Sequence, residues 1–584
     1  MSQPLQPAAR SREGFLGQLF GGRFRWDLLQ PFPEQSPEEQ RLGDALVLEI
    51  QRFLKEHVDP AQVEREGRLP PGLLNSLRGA GYFKLQMDPA VGGRGLSSLN
   101  AFRVIEMAMS WCLPVGYTLA LHNGLGAGAI VNAIPAGPLR EYVHGRIAQG
   151  AISGWADTEP TGAASRRLST LATPTADGKA YLLKGEKVYI GNGSIADLLI
   201  VSATVCEGGR EFVSLFFVET ASPGFRVRRE HQLMGLRGFP IAALGFDDVR
   251  VPREQMLRMA EGHWRDTPLL EPISALGRMY TIVTASLATA KHCLRWSREF
   301  VNRRRNNGRP LGDYDEIQRM VASTAAEVFA LDSLAQWSLA GADGANLPLR
   351  WFEQVAAKNI ASLTCARLAD RTMSLLAAEG YETAVSKASR GAPPIPMERA
   401  VRDARAFRIA GGVDFLVDHK AAREGLFTLY YPSAAQAAEL EAPPAPLPED
   451  KHLSGRNLEH RQAVAHEVRR LGLECLELSR RYPDVGVLYA RERTLILLNQ
   501  VANELFTMSV TLARAAALTA RGQPHVGELA DVYCTSARYR LADLWQQVNA
   551  EAEPDFARAS GAWLAGDGLD LLLSDVDRGQ GTGA

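Results

Sequence analysis

Several groupings in the sequence carry the residue types that chemistry needs. His466-Glu467 begins like a zinc-binding helix, but no second histidine follows at helical spacing, so the paired ligands of a zinc hydrolase are absent. Gly124-Leu-Gly-Ala-Gly128 has the glycines of a dinucleotide loop, yet such a loop needs a preceding strand and a βαβ unit. Its flanks are helical in pattern, and close helix packing is the expectation. The arginine clusters Arg303-Arg-Arg305 and Arg469-Arg470 are expected to be solvated helix faces rather than nucleic-acid sites. The last grouping is Arg402 to Asp418, RDARAFRIAGGVDFLVD, in which arginines and aspartates flank the pair Gly411-Gly412.

Composition narrows the classes. At 584 residues the chain is too long for one core and should divide into several packed units. Lys plus Arg number 65 against 66 Asp plus Glu, a net charge of −1, which argues against nucleic acid or a polybasic membrane footprint. The 6 cysteines are scattered with no CxxC pair, so neither a metal nor a disulfide framework is expected and a reducing compartment is the default. No apolar run approaches the roughly 20 residues that span a bilayer. Residues 1–35 are expected to form a flexible leader, with a cytoplasmic location, or a mitochondrial one if the chain is eukaryotic.

The elements that position these residues follow from periodicity. Ser36-Pro37-Glu38-Glu39 has serine at an N-cap, proline at N1 and glutamate at N3, a capping box. Leu42, Leu46, Ile50 and Phe53 then recur at helical spacing, and the pattern stays helical over 36–151 apart from the loop Asp88 to Gly95. Over 152–262 the period changes to that of strands. Ser169–Thr175 and Ala180–Lys184 flank Asp177-Gly178, a hairpin signal, and Leu198–Val201, Phe212–Val218 and Ala242–Phe246 are further short strand runs. Residues 263–432 are helical again. Residues 433–454 form a linker rich in alanine and proline, and 455–548 a second helical unit. There Leu495, Leu498, Ala502, Leu505, Met508 and Leu512 make one stripe, and Gly522 and Pro524 end the helix. Residues 549–584 are expected to be a frayed tail.

Arg402 to Asp418 resembles the RDxRIFRIFEGTNDIL segment of the acyl-CoA dehydrogenase flavoproteins, nearest to the very-long-chain branch. Asp88 to Gly95 resembles that family's PxxxGGxGL, Met234 to Gly238 its MGIR, Phe246 to Pro252 its FDxVRVP, and His122 falls on a family histidine. The run from Glu492 to His525 resembles the extra C-terminal domain of the very-long-chain branch, so the resemblance covers about residues 15 to 548. It implies a mainly α fold with an inserted β domain: an N-terminal helical domain, a middle β-barrel-like domain, a C-terminal four-helix bundle and an extra helical domain. It also implies FAD, an acyl-CoA or other acyl thioester as substrate, and a homodimer.

The reaction so implied is α,β-desaturation, in which a carboxylate removes the α-proton while the β-hydride moves to the flavin. The base must lie within hydrogen-bond reach and the developing enolate must be stabilised. The family has two known base positions, and here they fall on Gly411 and Gly277. The resemblance places Arg278 and Gly412 at the substrate. Asp414 lies about one helical turn beyond Gly411, and Glu271 roughly 9 Å before Gly277 along a helix axis; both are candidate substitutes. Their ordinary roles would be a cap for Asp414 and a first-turn dipole partner for Glu271.

For the flavin, TEPxxGSD appears as Thr158 to Ala164, one residue short, and the family's tryptophan run as Tyr189-Ile190-Gly191-Asn192. Tyrosine can still stack, while Gly191 offers only backbone. Arg304 matches the arginine on the FAD pyrophosphate and Gln318 the glutamine of that motif. The aromatic between them is Asn307, QxxGG has become Ser374 to Ala378, and the threonine after the base is Val413. An extra segment runs from Glu382 to Pro394.

These features support several readings. One is an FAD-dependent acyl-CoA dehydrogenase with a displaced base. Another is a catalytically silent homologue serving as a binding or assembly partner of an active paralogue. A further one is an FAD enzyme of the same fold with different oxidative chemistry. Fold alone does not choose among them.

Overall fold

The computed structural model describes residues 14–131, 133–163, 167–258, 270–343, 349–431, 440, 446–550, 555–566 and 569–575. Most of the linker expected over 433–454 lies outside these residues, as do the start of the leader, Ala164, the boundary near 262 and the end of the tail.

The N-terminal helical domain contains α2 (Pro37–His57), α3 (Pro60–Glu66), α4 (Leu73–Gly79), α5 (Ser98–Trp111), α6 (Leu113–Gly124), α7 (Ala127–Ile130) and α8 (Pro138–Ala148). Ser36 caps α2 as expected, its hydroxyl accepting from Glu39 N at 3.2 Å. The Glu39 carboxylate turns to a tertiary task, accepting from Ser97 Oγ and Asn100 Nδ2, each at 2.8 Å, which ties α2 to α5. Leu46 and Ile50 face the core, but Leu42 is exposed, because the buried stripe of α2 begins at Gly43.

The middle domain is an eight-stranded sheet of β1 (Ser153–Ala156), β2 (Leu171–Pro174), β3 (Ala180–Gly191), β4 (Leu198–Glu207), β5 (Arg210–Glu219), β6 (Phe225–Glu230), β7 (Ile241–Pro252) and β8 (Met256–Leu257). The hairpin expected at Asp177-Gly178 joins β2 to β3, with Leu171 opposite Lys184. Strand order is β6-β7-β3-β2-β4-β5-β8, with β1 beside β4; β1 and β2 run parallel to β4. The strands β1 and β6 carry no clear alternation: β1 is short, and five of the six residues of β6 are exposed charged groups or Val227.

The bundle follows: α9 (Glu271–Arg278), a π-helical turn (Met279–Val283), α10 (Thr284–Arg303), the small ribbon β9 (Arg305–Asn306) and β10 (Arg309–Pro310), α11 (Asp315–Leu339), α12 (Trp351–Leu376), α13 (Ala378–Tyr381), α14 (Ala384–Ser389), α15 (Met397–Phe407) and α16 (Asp414–Tyr430). The extra domain holds α17 (Gly455–Arg481), α18 (Val485–Tyr489), α19 (Glu492–Ala520) and α20 (Val526–Val548). All six residues of the stripe expected on α19 are buried. This helix is long and apolar enough to cross a bilayer, contrary to expectation, but 83% of its most apolar window is buried in the protein. It is a core helix packed on α11, α16 and α17.

The leader is corrected from residue 14 onward. Helix α1 (Phe15–Phe20) is buried along its whole length, and Trp26, Leu29 and Phe32 are buried after it. Phe15 sits 6.1 Å from both Trp337 of the bundle and Phe506 of the extra domain, so α1 is mortar between the two. Its six residues are too few to show helical periodicity above the surrounding glycines and arginines. The tail is helical in part, α21 (Phe556–Ala565), with none of its residues buried.

Candidate functional site

Between α15 and α16 the chain reverses through Gly411 (φ 71°) and Gly412 (φ 103°), backbone that favours glycine. Arg278 Nε donates to the Gly411 carbonyl at 2.8 Å and Lys358 Nζ to the Gly412 carbonyl at 2.5 Å. Lys358 Nζ also reaches Asn359 Oδ1 at 3.2 Å, and Asn359 Nδ2 donates to the Asp414 carbonyl at 2.7 Å. Burial pulls the Lys358 ammonium down to about 8, with Arg278 and Arg408 adding to the effect and Asp414 and Asp418 opposing it. Asp414 is the first residue of α16; its carboxylate accepts from Arg408 Nε at 2.7 Å and from Phe415 N at 2.9 Å. Val413 is the N-cap residue.

The two glycines at the family base positions differ in their surroundings. A Cβ at Gly411 would meet Arg278 Cγ and Ile282 Cγ1 at 3.5 Å and Lys358 Cε at 3.9 Å, ordinary contact distances. A Cβ at Gly277 would lie 2.3 Å from Leu125 Cγ and 2.9 Å from the Gly124 carbonyl oxygen. Position 277 is therefore closed by the end of α6, which also accounts for Gly124 as a packing glycine. Glu271 opens α9 ahead of Pro272, half-buried. The π turn begins one residue after Arg278; such turns are frequent at functional sites.

On the middle domain, the bulge between Lys187 and Ile190 in the β3–β7 ladder leaves Tyr189 at φ 58°. Its ring is 60% exposed and stacks on His231 at 4.5 Å. Ile190 is buried, and Gly191 lies under Leu121 and Phe239, whose nearest atoms would be 2.4 and 2.9 Å from a Cβ there. The carbonyl of Thr158 accepts from Val188 N at 2.9 Å. The neighbouring Glu159 forms a wholly buried pair with Lys187 at 2.9 Å and accepts from Ser169 N and Thr170 N. Burial would favour its neutral form, but the Ser169 bonds, the Lys187 charge and the Thr170 bond outweigh it and hold the carboxyl at about 2.

Arg304 leaves α10 exposed, its backbone paired with Leu311 at 3.0 Å, and Gln318 Nε2 holds the Gly312 carbonyl at 2.9 Å. The adjacent Arg303 binds Glu379 of α13 at 3.2 Å, next to the exposed Ser374 and the strained Ala377 (φ 52°).

Thus Gly411, Gly412, Arg278, Val413 and Asp414 come together with Lys358, while Thr158, Tyr189, Ile190 and Gly191 share one end of the sheet. Arg304 and Ser374 lie on a third region. Links between the first two groups include the following. Leu236 N donates to Asp403 at 2.6 Å, and Tyr117 lies between Phe239 and Phe407 at 5.5 and 6.2 Å. Sequence reasoning missed Lys358, Asn359 and His231. The signal for Lys358 was a cation in the otherwise uncharged stretch from Gln354 to Ala366 of α12; His231 left none.

Family models match in chain order: the acyl-CoA dehydrogenase N-terminal domain over residues 38–134, the middle domain over 154–249 and the C-terminal domain over 275–416. A probable acyl-CoA dehydrogenase FadE10 of Mycobacterium tuberculosis is 29% identical over 98% of this chain and 91% of its own length. The human mitochondrial very long-chain specific acyl-CoA dehydrogenase is 25% identical over 93% and 86%. The crystal structure of an acyl-CoA dehydrogenase complexed with FAD from Bacillus anthracis superposes with a TM-score of 0.73 at 19% identity, covering 94% of each chain. Butyryl-CoA dehydrogenase of Megasphaera elsdenii covers 66% of this chain and 97% of its own, at a TM-score of 0.56. With three successive domain matches and this layer order, the chain belongs to the acyl-CoA dehydrogenase family.

Proposed function

We propose that this protein is an FAD-binding acyl-CoA dehydrogenase-type enzyme that acts on a fatty acyl thioester by α,β-desaturation. The observation that carries this reading is Tyr189, a residue left 60% exposed at a strained φ of 58°, with its ring stacked on His231, where the family covers its flavin. Strain of that kind persists only where the surroundings enforce it, and it concentrates at ligand sites. The residues present fit the group. Tyr189 offers an exposed ring that can stack, and the exposed Arg304 supplies a fork of donors suited to a pyrophosphate.

When bound, the flavin supplies a hydride acceptor. The chain's own part is to hold the acyl thioester against the Gly411 loop, which Arg278 and Lys358 fix through its carbonyls, and to remove the α-proton. A homodimer in which Arg304 of one copy serves the other's cofactor, and a cytoplasmic location like that of a bacterial metabolic enzyme, go with this reading.

A catalytically silent homologue, partner to an active paralogue, is the second reading. The closed packing at Gly277 and the absence of a carboxylate at Gly411 favour it. The visible spectrum of the purified protein, before and after incubation with excess FAD and gel filtration, tests the first reading. Retained flavin bands support it, and a protein that stays colourless rules it out.

A further inference from the structure

We propose that Lys358 is the proton acceptor that replaces the missing carboxylate. This rests on the acyl-thioester reading above and adds to it the group that would take the α-proton. The three atoms nearest a Cβ at 411 belong to Arg278, Ile282 and Lys358. Ile282 has no acceptor, and an arginine stays protonated throughout the working range. Lys358 is the one of the three that can exist as a base near neutrality.

The carboxylates packed around it are engaged elsewhere. From α16, Asp414 is held by Arg408, and Asp418 accepts from Asn359 and Asn499 at 2.8 Å and from Asn503 and Gln500 at 3.4 Å. The remaining charged groups facing the amine are Arg278 from α9 and Arg408 from the turn after α15. Both of its hydrogen-bond partners, the Gly412 carbonyl and Asn359 Oδ1, are neutral. A wholly buried ammonium with neutral partners is poorly compensated. A neutral amine has two N–H groups, which these two acceptors match, and its lone pair then occupies another corner of the nitrogen.

The glycine pair fits this assignment. Gly411 and Gly412 are exposed, and the buried Lys358 amine donates to the Gly412 carbonyl from beneath them. A larger side chain at 411 would lie across its Cε, 3.9 Å away. In the step proposed, the Lys358 lone pair takes the α-proton and becomes an ammonium. The C–H electron pair enters the thioester as an enolate, and no oxidant is consumed up to that point. Reversal in heavy water returns a deuteron to the α-carbon.

That exchange is the test, and it needs no flavin turnover. The full chain is incubated in heavy water with butanoyl-, octanoyl- or hexadecanoyl-CoA. Binding is measured by ultrafiltration and α-deuterium in the recovered thioester by mass spectrometry. The expected result is exchange that rises with pH through about 8 and falls by ~100-fold or more in Lys358→Met. Lys358→Arg, which keeps the cation, guards against a folding defect and should lose exchange equally. Adding Gly411→Glu to Lys358→Met should restore exchange and move its pH dependence downward. Thioester binding with exchange unchanged in Lys358→Arg, or binding by the native protein without exchange, overturns the proposal. Failure to bind any of the thioesters overturns the acyl-thioester reading itself.

Discussion

Gly124 and Gly277 meet backbone to backbone: a Cβ on Gly124 would lie 3.2 Å from Gly277 Cα, and one on Gly277 would lie 2.9 Å from the Gly124 oxygen. This contact seats α9, and with it Arg278, against α6. The two base positions differ physically, since 277 is filled by the Leu125 side chain and the Gly124 carbonyl while 411 is exposed backbone.

The first prediction follows from that difference. Gly277→Glu forces α6 and α9 apart and should destabilise by about 3 kcal/mol or more, an overpacked helix contact. Gly411→Glu meets no short contact and should cost only about 1–2 kcal/mol, for its left-handed backbone. Thermal unfolding of the two variants checks the order; equal losses would contradict the packing account.

Asp418 joins the site to the extra domain, because the amides it accepts from lie on both α12 and α19. Asp418→Ala leaves buried amides without an acceptor and should cost about 3 kcal/mol. Asp418→Asn keeps one acceptor oxygen and should cost less. Urea unfolding measures both, and a neutral Asp418→Ala would show that the network does not hold the domains together.

Asp403 gives a signed pH dependence. Burial raises its carboxyl from 3.8 to about 6 despite the hydrogen bond from Leu236. The folded state therefore keeps the proton longer than the unfolded state. Stability from this group is full below 3.8 and is lost as pH rises through about 6. Relative to Asp403→Asn, the native protein should lose about 3 kcal/mol between those limits. Parallel pH profiles of the two proteins would contradict this.

Glu159 has the opposite sign. Its carboxyl sits at about 2 rather than 4.5, so its contribution is present above 4.5 and is lost as pH falls through about 2. Glu159→Ala removes the carboxylate that pairs with the buried Lys187 ammonium and should destabilise by about 3–5 kcal/mol. Glu159→Ala with Lys187→Met should recover part of that loss in calorimetry. No recovery would mean that the pair does not act as a unit.

Much of the architecture was legible because local rules decided it. Ser36 begins α2, Asp177-Gly178 turns a hairpin, and the α19 stripe is buried, each from signals within a few residues. At the candidate site, Gly411, Gly412 and Asp414 stand in one segment, whereas Arg278, 133 residues away, was named only through the resemblance. Lys358 reaches the Gly412 carbonyl from 54 residues away in the chain, and His231 meets Tyr189 across 42. No periodicity records such pairings. The burial of α1 was hidden in the same way, since Phe15 and Phe20 look like leader residues until Trp337, Phe352 and Phe506 surround them.

The most direct test of the account is anaerobic titration of the FAD-loaded protein with acyl-CoA, followed by its visible spectrum and by analysis of the recovered thioester. The account predicts bleaching of the flavin bands in step with the appearance of enoyl-CoA. A protein that holds FAD and binds acyl-CoA, yet neither bleaches nor forms enoyl-CoA, would contradict it.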